Sequence, residues 1–185
     1  ARPQRVIHDV HPYGRLSFPE VLIKSSNIGT VKIAMRLGDK LLYDYIKKFS
    51  FGEKTGIDFP GEVSGILRPP DQWSKFSITS IPFGQEVAAT AVQMLRAIAA
   101  IANGGRLVKP YLLKEIQDAD GVTLSIKEPM VSEPFLKPEA VASITRILER
   151  VITEGTGGRA KIDGIRVAGK TRTTQKLDKN GGYTH

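Results

Sequence analysis

Apolar and polar positions alternate with helical spacing through most of this chain, and with strand spacing only in its last third. Ser17-Phe18-Pro19-Glu20 has the form of a capping box, in which the serine hydroxyl and the glutamate carboxylate satisfy first-turn N–H groups. It predicts a short helix ending at Lys24, just before Ser25-Ser26-Asn27. A second helix is expected from Ile28 to Leu37, with Val31, Met35 and Leu37 among its apolar positions and Gly38 as its stop. Asp39 then caps a third, whose apolar face is Leu41, Leu42, Tyr45, Ile46 and Phe49. Tyr43, Tyr45 and Phe49 are read as core aromatics rather than as a ligand box. From Ser50 to Pro82 glycine and proline recur, and a long irregular region is expected.

Regular patterning resumes at Thr90-Ala91-Val92-Gln93, a second capping box, opening a helix that stops at Asn103-Gly104-Gly105. "RLVKPYLLKEIQ" and "VTLSIK" flank turn residues Asp118 to Gly121 and predict a hairpin. Pro138 opens a helix with Val141, Ile144, Leu148, Val151 and Ile152 on one face. The loop "EGTGG" leads into "GIRVAGKTRTT", which reads as a strand. Helices in the middle and β-structure late indicate an α+β fold. There is no internal repeat.

At 185 residues the chain is long enough for one sizeable core. Val87 to Ala102, its longest apolar stretch, is interrupted by Gln93 and Arg96 and reads as a core helix rather than a membrane span. The absence of cysteine excludes disulfides and thiol catalysis. A net charge of +8 favours an anionic partner. Seven basic residues between Gly157 and His185 supply much of it, yet Tyr183 is the one aromatic there, which disfavours nucleic acid. His8-Asp9-Val10-His11 lacks a third metal ligand and reads as a surface loop. The start at Ala1, with no signal peptide, suggests a processed or excised piece of something longer.

Gly164 to Thr171 spells the nucleotide-binding pattern G-x-x-x-x-G-K-[ST]. That loop needs a helix immediately after it to hold phosphates, and "RTTQKLDKNGGYTH" carries no apolar helical stripe. Lys170 and Thr171 are therefore assigned to a strand that lines a different kind of site.

Four stretches, "EVLIKSSNIGTVKIA", "FGEKTGIDFPGE", "FGQEVAATAVQM" with "AIANGG", and "VAGKTRTTQK", occur in an order that resembles the transpeptidase domain of class B penicillin-binding proteins, especially the division-specific type. The resemblance spans nearly the whole chain. It implies the penicillin-binding, serine β-lactamase-like fold, present here as a helical subdomain plus part of an antiparallel sheet.

The family carries three motifs, S-x-x-K, S-x-N and K-[ST]-G. By resemblance, Ser25-Ser26-Asn27 is the second. Ser25 then belongs to the proton-transfer network, and Asn27 orients the catalytic lysine and a substrate carbonyl. Lys170-Thr171-Arg172-Thr173 is the third. Lys170 supplies positive charge, Thr171 and Thr173 bind the substrate carboxylate, and the Thr173 N–H forms half of an oxyanion hole. A literal Lys54-Thr55-Gly56 is taken as structural, because it follows a helix and enters a turn-rich loop, whereas a catalytic copy must be a strand that the substrate can extend. The first motif is absent, since no serine has lysine three residues on. The segment is thus expected to lack both the nucleophile and the sheet's later strands. Arg172 stands where the family has glycine, and on a strand it shares a face with Lys170, where it is expected to impair the site.

Residues 1–185 are accordingly read as a partial transpeptidase domain. Its parent is expected to be a peptidoglycan D,D-transpeptidase that cross-links stem peptides through a serine acyl-enzyme and binds β-lactams, with no cofactor and no metal. Division or elongation proteins are the expected partners. An N-terminal anchor outside this segment would hold the catalytic domain on the outer face of the cytoplasmic membrane. The competing reading is a non-catalytic scaffolding or penicillin-sensing domain of the same fold.

Overall fold

Capping chemistry starts the first helices where the sequence places it. Ser17 donates both its N–H (2.7 Å) and its hydroxyl (2.6 Å) to the Glu20 carboxylate, opening α1, Phe18–Ile23. These bonds, the hydroxyl's first, hold the Glu20 carboxyl below its ordinary range. The computed structural model describes residues 6–171 and the backbone of residues 176–177 and 183–184.

α2, Asn27–Leu37, begins one residue before the expected Ile28, because the Ser26 hydroxyl is its cap and accepts from the Gly29 N–H at 2.9 Å. Gly29 has a second task. A Cβ there would come within 2.6 Å of a Val21 methyl, so its absence lets α1 and α2 approach. Gly38 ends α2 at φ 77° and itself occupies the cap position of α3, Asp39–Lys48, leaving Asp39 inside the first turn.

The apolar face expected of α3 is only partly covered. Phe49 packs edge-on against Phe135 at 4.9 Å, and Tyr43 packs against Trp73 at 6.4 Å. Tyr45, expected in the core, is instead exposed, with the Lys48 ammonium 4.8 Å from its ring centre.

The glycine- and proline-rich region contains 3₁₀ turns at Pro70–Gln72 and Ile81–Phe83 and one short helix, α4, Ser77–Ser80. α4 packs on α2 with both of its serines fully buried. The Ser77 hydroxyl is satisfied by the Glu86 carboxylate at 2.5 Å.

α5, Ala91–Ala102, opens on the expected capping box. It buries one face, including Ala97 and Ala100, while Met94 and Leu95 are exposed, so it is a core helix on one side only. Gln93 does more than cap. Its Oε1 accepts from the Thr90 N–H (2.8 Å), and its Nε2 donates to the carbonyls of Glu53 (2.7 Å) and Ser64 (2.8 Å). At 1% exposure, nothing else replaces those bonds. Gln93→Leu, close in volume, leaves two part-buried carbonyls and the Thr90 N–H without this partner. At about 1–3 kcal/mol for each buried group left unsatisfied, a loss of roughly 3 kcal/mol or more is expected in denaturant unfolding. A loss below about 1 kcal/mol would show that water takes over the bonds.

The predicted hairpin forms from β1, Glu115–Gln117, and β2, Thr123–Ile126. Asp118 accepts from the N–H groups of Asp120 and Val122, and Gly121 takes φ 82°. The strands are shorter than expected. Pro110 lacks a donor, and the Leu112 N–H turns away to Asp58 at 2.6 Å, so upstream pairing is confined to a bridge between Val108 and Val131.

α6, Pro138–Thr153, buries Ile147, Leu148, Val151 and Ile152. Ile147 and Val151 meet Ile23 of α1 to form the core cluster beneath the Ser25 turn. Over its described part, residues 164–171, the strand expected for "GIRVAGKTRTT" is not formed as such. Ile162 and Ile165 bridge each other, and residues 166–171 belong to no helix or strand. A strand exists only by pairing, and the Gly169 N–H donates to the Leu148 carbonyl of α6 instead (3.2 Å). β3, Lys176–Leu177, pairs antiparallel with β4, Tyr183–Thr184. The α+β class holds. Among the described residues, no helix is long and apolar enough to cross a membrane.

Candidate active site

The turn between α1 and α2 places three polar residues at the end of the Ile23–Val151 core. Ser25 N–H donates to Leu22 O (3.3 Å) and Ser26 N–H to Val21 O (2.9 Å), the pair of bonds that closes a Schellman motif. That motif requires a left-handed residue, usually glycine. Here it is Ser25, at φ 57°. A side chain at this position costs about 1 kcal/mol of backbone strain.

The Ser25 hydroxyl has a partner from the far end of the chain. Lys170 Nζ donates to Ser25 Oγ at 2.9 Å, across a separation of 145 residues, and also to the carbonyl of Thr171 at 3.0 Å. Three contacts carry Lys170 to this position. Gly169 is bonded to α6, as above. Gly155 lies so close to α1 that a Cβ would come within 2.4 Å of the Ile23 carbonyl. Between Gly155 and Gly157, Thr156 meets the Thr171 hydroxyl at 2.5 Å. The glycine-flanked threonine thus links the post-α6 loop to the segment bearing Lys170. Both hydroxyls are exposed.

Asn27 occupies the first turn of α2, and its Nδ2 donates to the His8 carbonyl at 3.1 Å. Asp9 accepts from the Ser26 hydroxyl at 2.8 Å and from the Ile28 N–H at 3.0 Å. In "HDVH" the working side chain is therefore the aspartate between the histidines.

Of the expected site residues, the structure brings Lys170 onto Ser25 and joins Thr171 to Thr156, while the Asn27 amide, two residues beyond Ser25, is bonded to the His8 carbonyl. Thr173 and Arg172 lie outside the described residues, and with them the expected oxyanion donor and the expected crowding. The other lysine–threonine–glycine copy is elsewhere and differently used. Thr55 is buried, and both its N–H and its hydroxyl donate to Glu62 at 2.6 Å, with the Gly56 N–H at 3.0 Å from the same carboxylate. The Thr55 hydroxyl leads the bonds that hold the Glu62 carboxyl below its ordinary range. This copy closes a loop.

Sequence reasoning missed Asp9 and Thr156. Thr156 had a signal, since a threonine between glycines is free to approach another backbone closely. Asp9 had none, because its partners are 17 to 19 residues away.

Chemically, the cluster pairs an amine with a hydroxyl in a geometry fit for passing a proton, next to an amide able to hold a carbonyl. Residues 4–185 match the penicillin binding protein transpeptidase domain family. Stage V sporulation protein D of Bacillus subtilis (strain 168) is 40% identical over 92% of the chain, which spans 26% of that protein. The peptidoglycan D,D-transpeptidase FtsI of Escherichia coli (strain K12) is 30% identical over 96% of the chain, which spans 28% of it. Among solved structures, penicillin binding protein 3 of Mycobacterium tuberculosis complexed with aztreonam superposes with a TM-score of 0.87. It is 32% identical over 96% of this chain and 42% of its own. The chain therefore spans between about a quarter and somewhat under half the length of these relatives.

Proposed function

This chain belongs to the penicillin binding protein transpeptidase domain family, and from that premise we propose that its whole protein is a peptidoglycan D,D-transpeptidase. The observation that carries the reading is the 2.9 Å contact of Lys170 Nζ with Ser25 Oγ, beside Asn27. It joins two of the motifs that such chemistry uses across almost the whole sequence.

The nucleophile is proposed to come from outside these 185 residues, as the serine of an S-x-x-K motif. Its oxygen bonds the carbonyl carbon of the penultimate D-Ala while the C–N bond to the terminal D-Ala breaks. The departing amine takes a proton. A neighbouring stem peptide's amine then attacks the ester, loses its proton, and releases the serine. Ser25 and Lys170 serve these proton transfers, and the Asn27 amide orients lysine and substrate. Thr171, with Thr173, binds the substrate carboxylate, and Thr173 N–H supplies one oxyanion donor. A β-lactam opens on the same serine. Division or elongation proteins are the proposed partners. The outer face of the cytoplasmic membrane is the proposed location, with an anchor outside this segment.

Arg172 favours the second reading, a domain that retains the fold and senses or scaffolds without turning over, because it adds a fixed charge next to Lys170 in sequence. Two assays separate them. The whole protein is expected to acquire a covalent penicillin and to release D-Ala from a D-Ala-D-Ala pentapeptide. The 185-residue chain alone is expected to form no adduct in intact-mass measurement. Acylation without D-Ala release would select the sensing domain, and a stoichiometric adduct on the isolated chain would overturn the placement of the nucleophile.

A further inference from the structure

Residues 8 and 9 form a strap across the turn that presents Ser25 and Asn27. Asp9 accepts from two donors that bracket Asn27: the Ser26 hydroxyl at 2.8 Å and the Ile28 N–H at 3.0 Å. The His8 carbonyl accepts the Asn27 amide itself at 3.1 Å. The strap thus touches three consecutive residues, and Ser26, the first of them, is 2% exposed.

The turn needs such a restraint. Ser25 is held at φ 57°, which a serine leaves readily unless its neighbours prevent it. Its own backbone bond to Leu22 is long at 3.3 Å. Ser26 is held by its N–H on the Val21 carbonyl (2.9 Å) and by its side chain, which caps α2 through Gly29 and at the same time donates to Asp9. Releasing Asp9 removes a restraint on the turn that also reaches Ile28, and loosens the segment that carries Ser25 on one side of Ser26 and Asn27 on the other.

We propose that Asp9 is a positioning residue that fixes the Ser25–Ser26–Asn27 turn in register with Lys170. The proposal rests on the transpeptidase reading above. Its rival is a purely structural role, a carboxylate stabilising the positive end of α2.

The whole protein carrying Asp9→Ala, Asp9→Asn or the native residue distinguishes them. A labelled β-lactam reports two quantities, the fraction of molecules that react and the rate constant of that fraction. Asp9→Ala is expected to slow the reacting fraction by about 10- to 100-fold, the range that misplacing catalytic groups by about 1 Å produces. Asp9→Asn retains an acceptor for Ile28 and a polar partner for Ser26, and is expected to recover most of that loss. Amide exchange at Ile28 should quicken in Asp9→Ala and stay near native in Asp9→Asn. A structural role alone would lower the reactive fraction and leave its rate constant unchanged, which would overturn the proposal. So would Asp9→Ala with native rate and native Ile28 exchange. If the native protein is not acylated at all, the transpeptidase reading fails and this proposal falls with it. A native protein that is acylated at a rate insensitive to Asp9 removes the positioning role alone.

Discussion

Replacing Lys170 by alanine in the whole protein is expected to slow β-lactam acylation by roughly 10²- to 10⁴-fold, the span that a positioned proton-transfer group supplies. The ammonium is a long-range link between the later part of the chain and the Ser25 turn, at 2.9 Å from the hydroxyl. Truncation removes both the donor and the charge. Lys170→Arg separates the two. A guanidinium keeps the charge but does not give up a proton near neutral pH, and its planar fork cannot reproduce a single donor aimed at Ser25. If proton transfer is what Lys170 contributes, arginine rescues less than tenfold of the loss. If a fixed charge suffices, arginine restores most of the rate. A loss of less than tenfold in Lys170→Ala would remove Lys170 from the chemistry.

The second large effect couples activity to stability in opposite directions. Ser25→Gly puts at φ 57° the residue that a Schellman turn ordinarily uses, and about 1 kcal/mol of strain disappears. Glycine's extra freedom in the unfolded chain offsets part of that gain. The same change deletes the hydroxyl that Lys170 contacts, and a fall of about 10² or more in acylation rate is expected. Calorimetry and acylation kinetics on one preparation test the pair. A variant that is more stable and slower would show that the serine is kept at a strained position for its hydroxyl. A variant that is less stable and equally fast would show that Ser25 serves the turn alone.

Features set by neighbours in sequence were legible. The capping boxes at Ser17 and Thr90, the stop at Gly38 and the Asp118–Gly121 turn each rest on bonds within five residues, so composition alone determines them. Lys54-Thr55-Gly56 could be set aside because its surroundings are loop-like, and Glu62, only seven residues on, closes it. Contacts made over longer separations left no local trace. Gln93 reads as a cap, and its bonds to the Glu53 and Ser64 carbonyls, 40 and 29 residues back, are invisible beforehand. Around Asp9, "HDVH" reads as a surface loop, while the aspartate is bonded to the Ser26–Ile28 turn by partners too far away in sequence to leave a local trace. The stretch through Lys170 has the composition of a strand, yet what decides its structure is a partner, and among the described residues its backbone meets a helix.

The most direct measurement is to react the whole protein with a β-lactam, digest it, and locate the adduct by mass spectrometry. One adduct per molecule is expected, on the serine of an S-x-x-K motif outside these 185 residues, with its formation slowed in Lys170→Ala. No adduct, or an adduct on Ser25 or any other residue of this segment, would contradict the assignment of Ser25, Asn27 and Lys170 as groups that serve a nucleophile supplied from elsewhere.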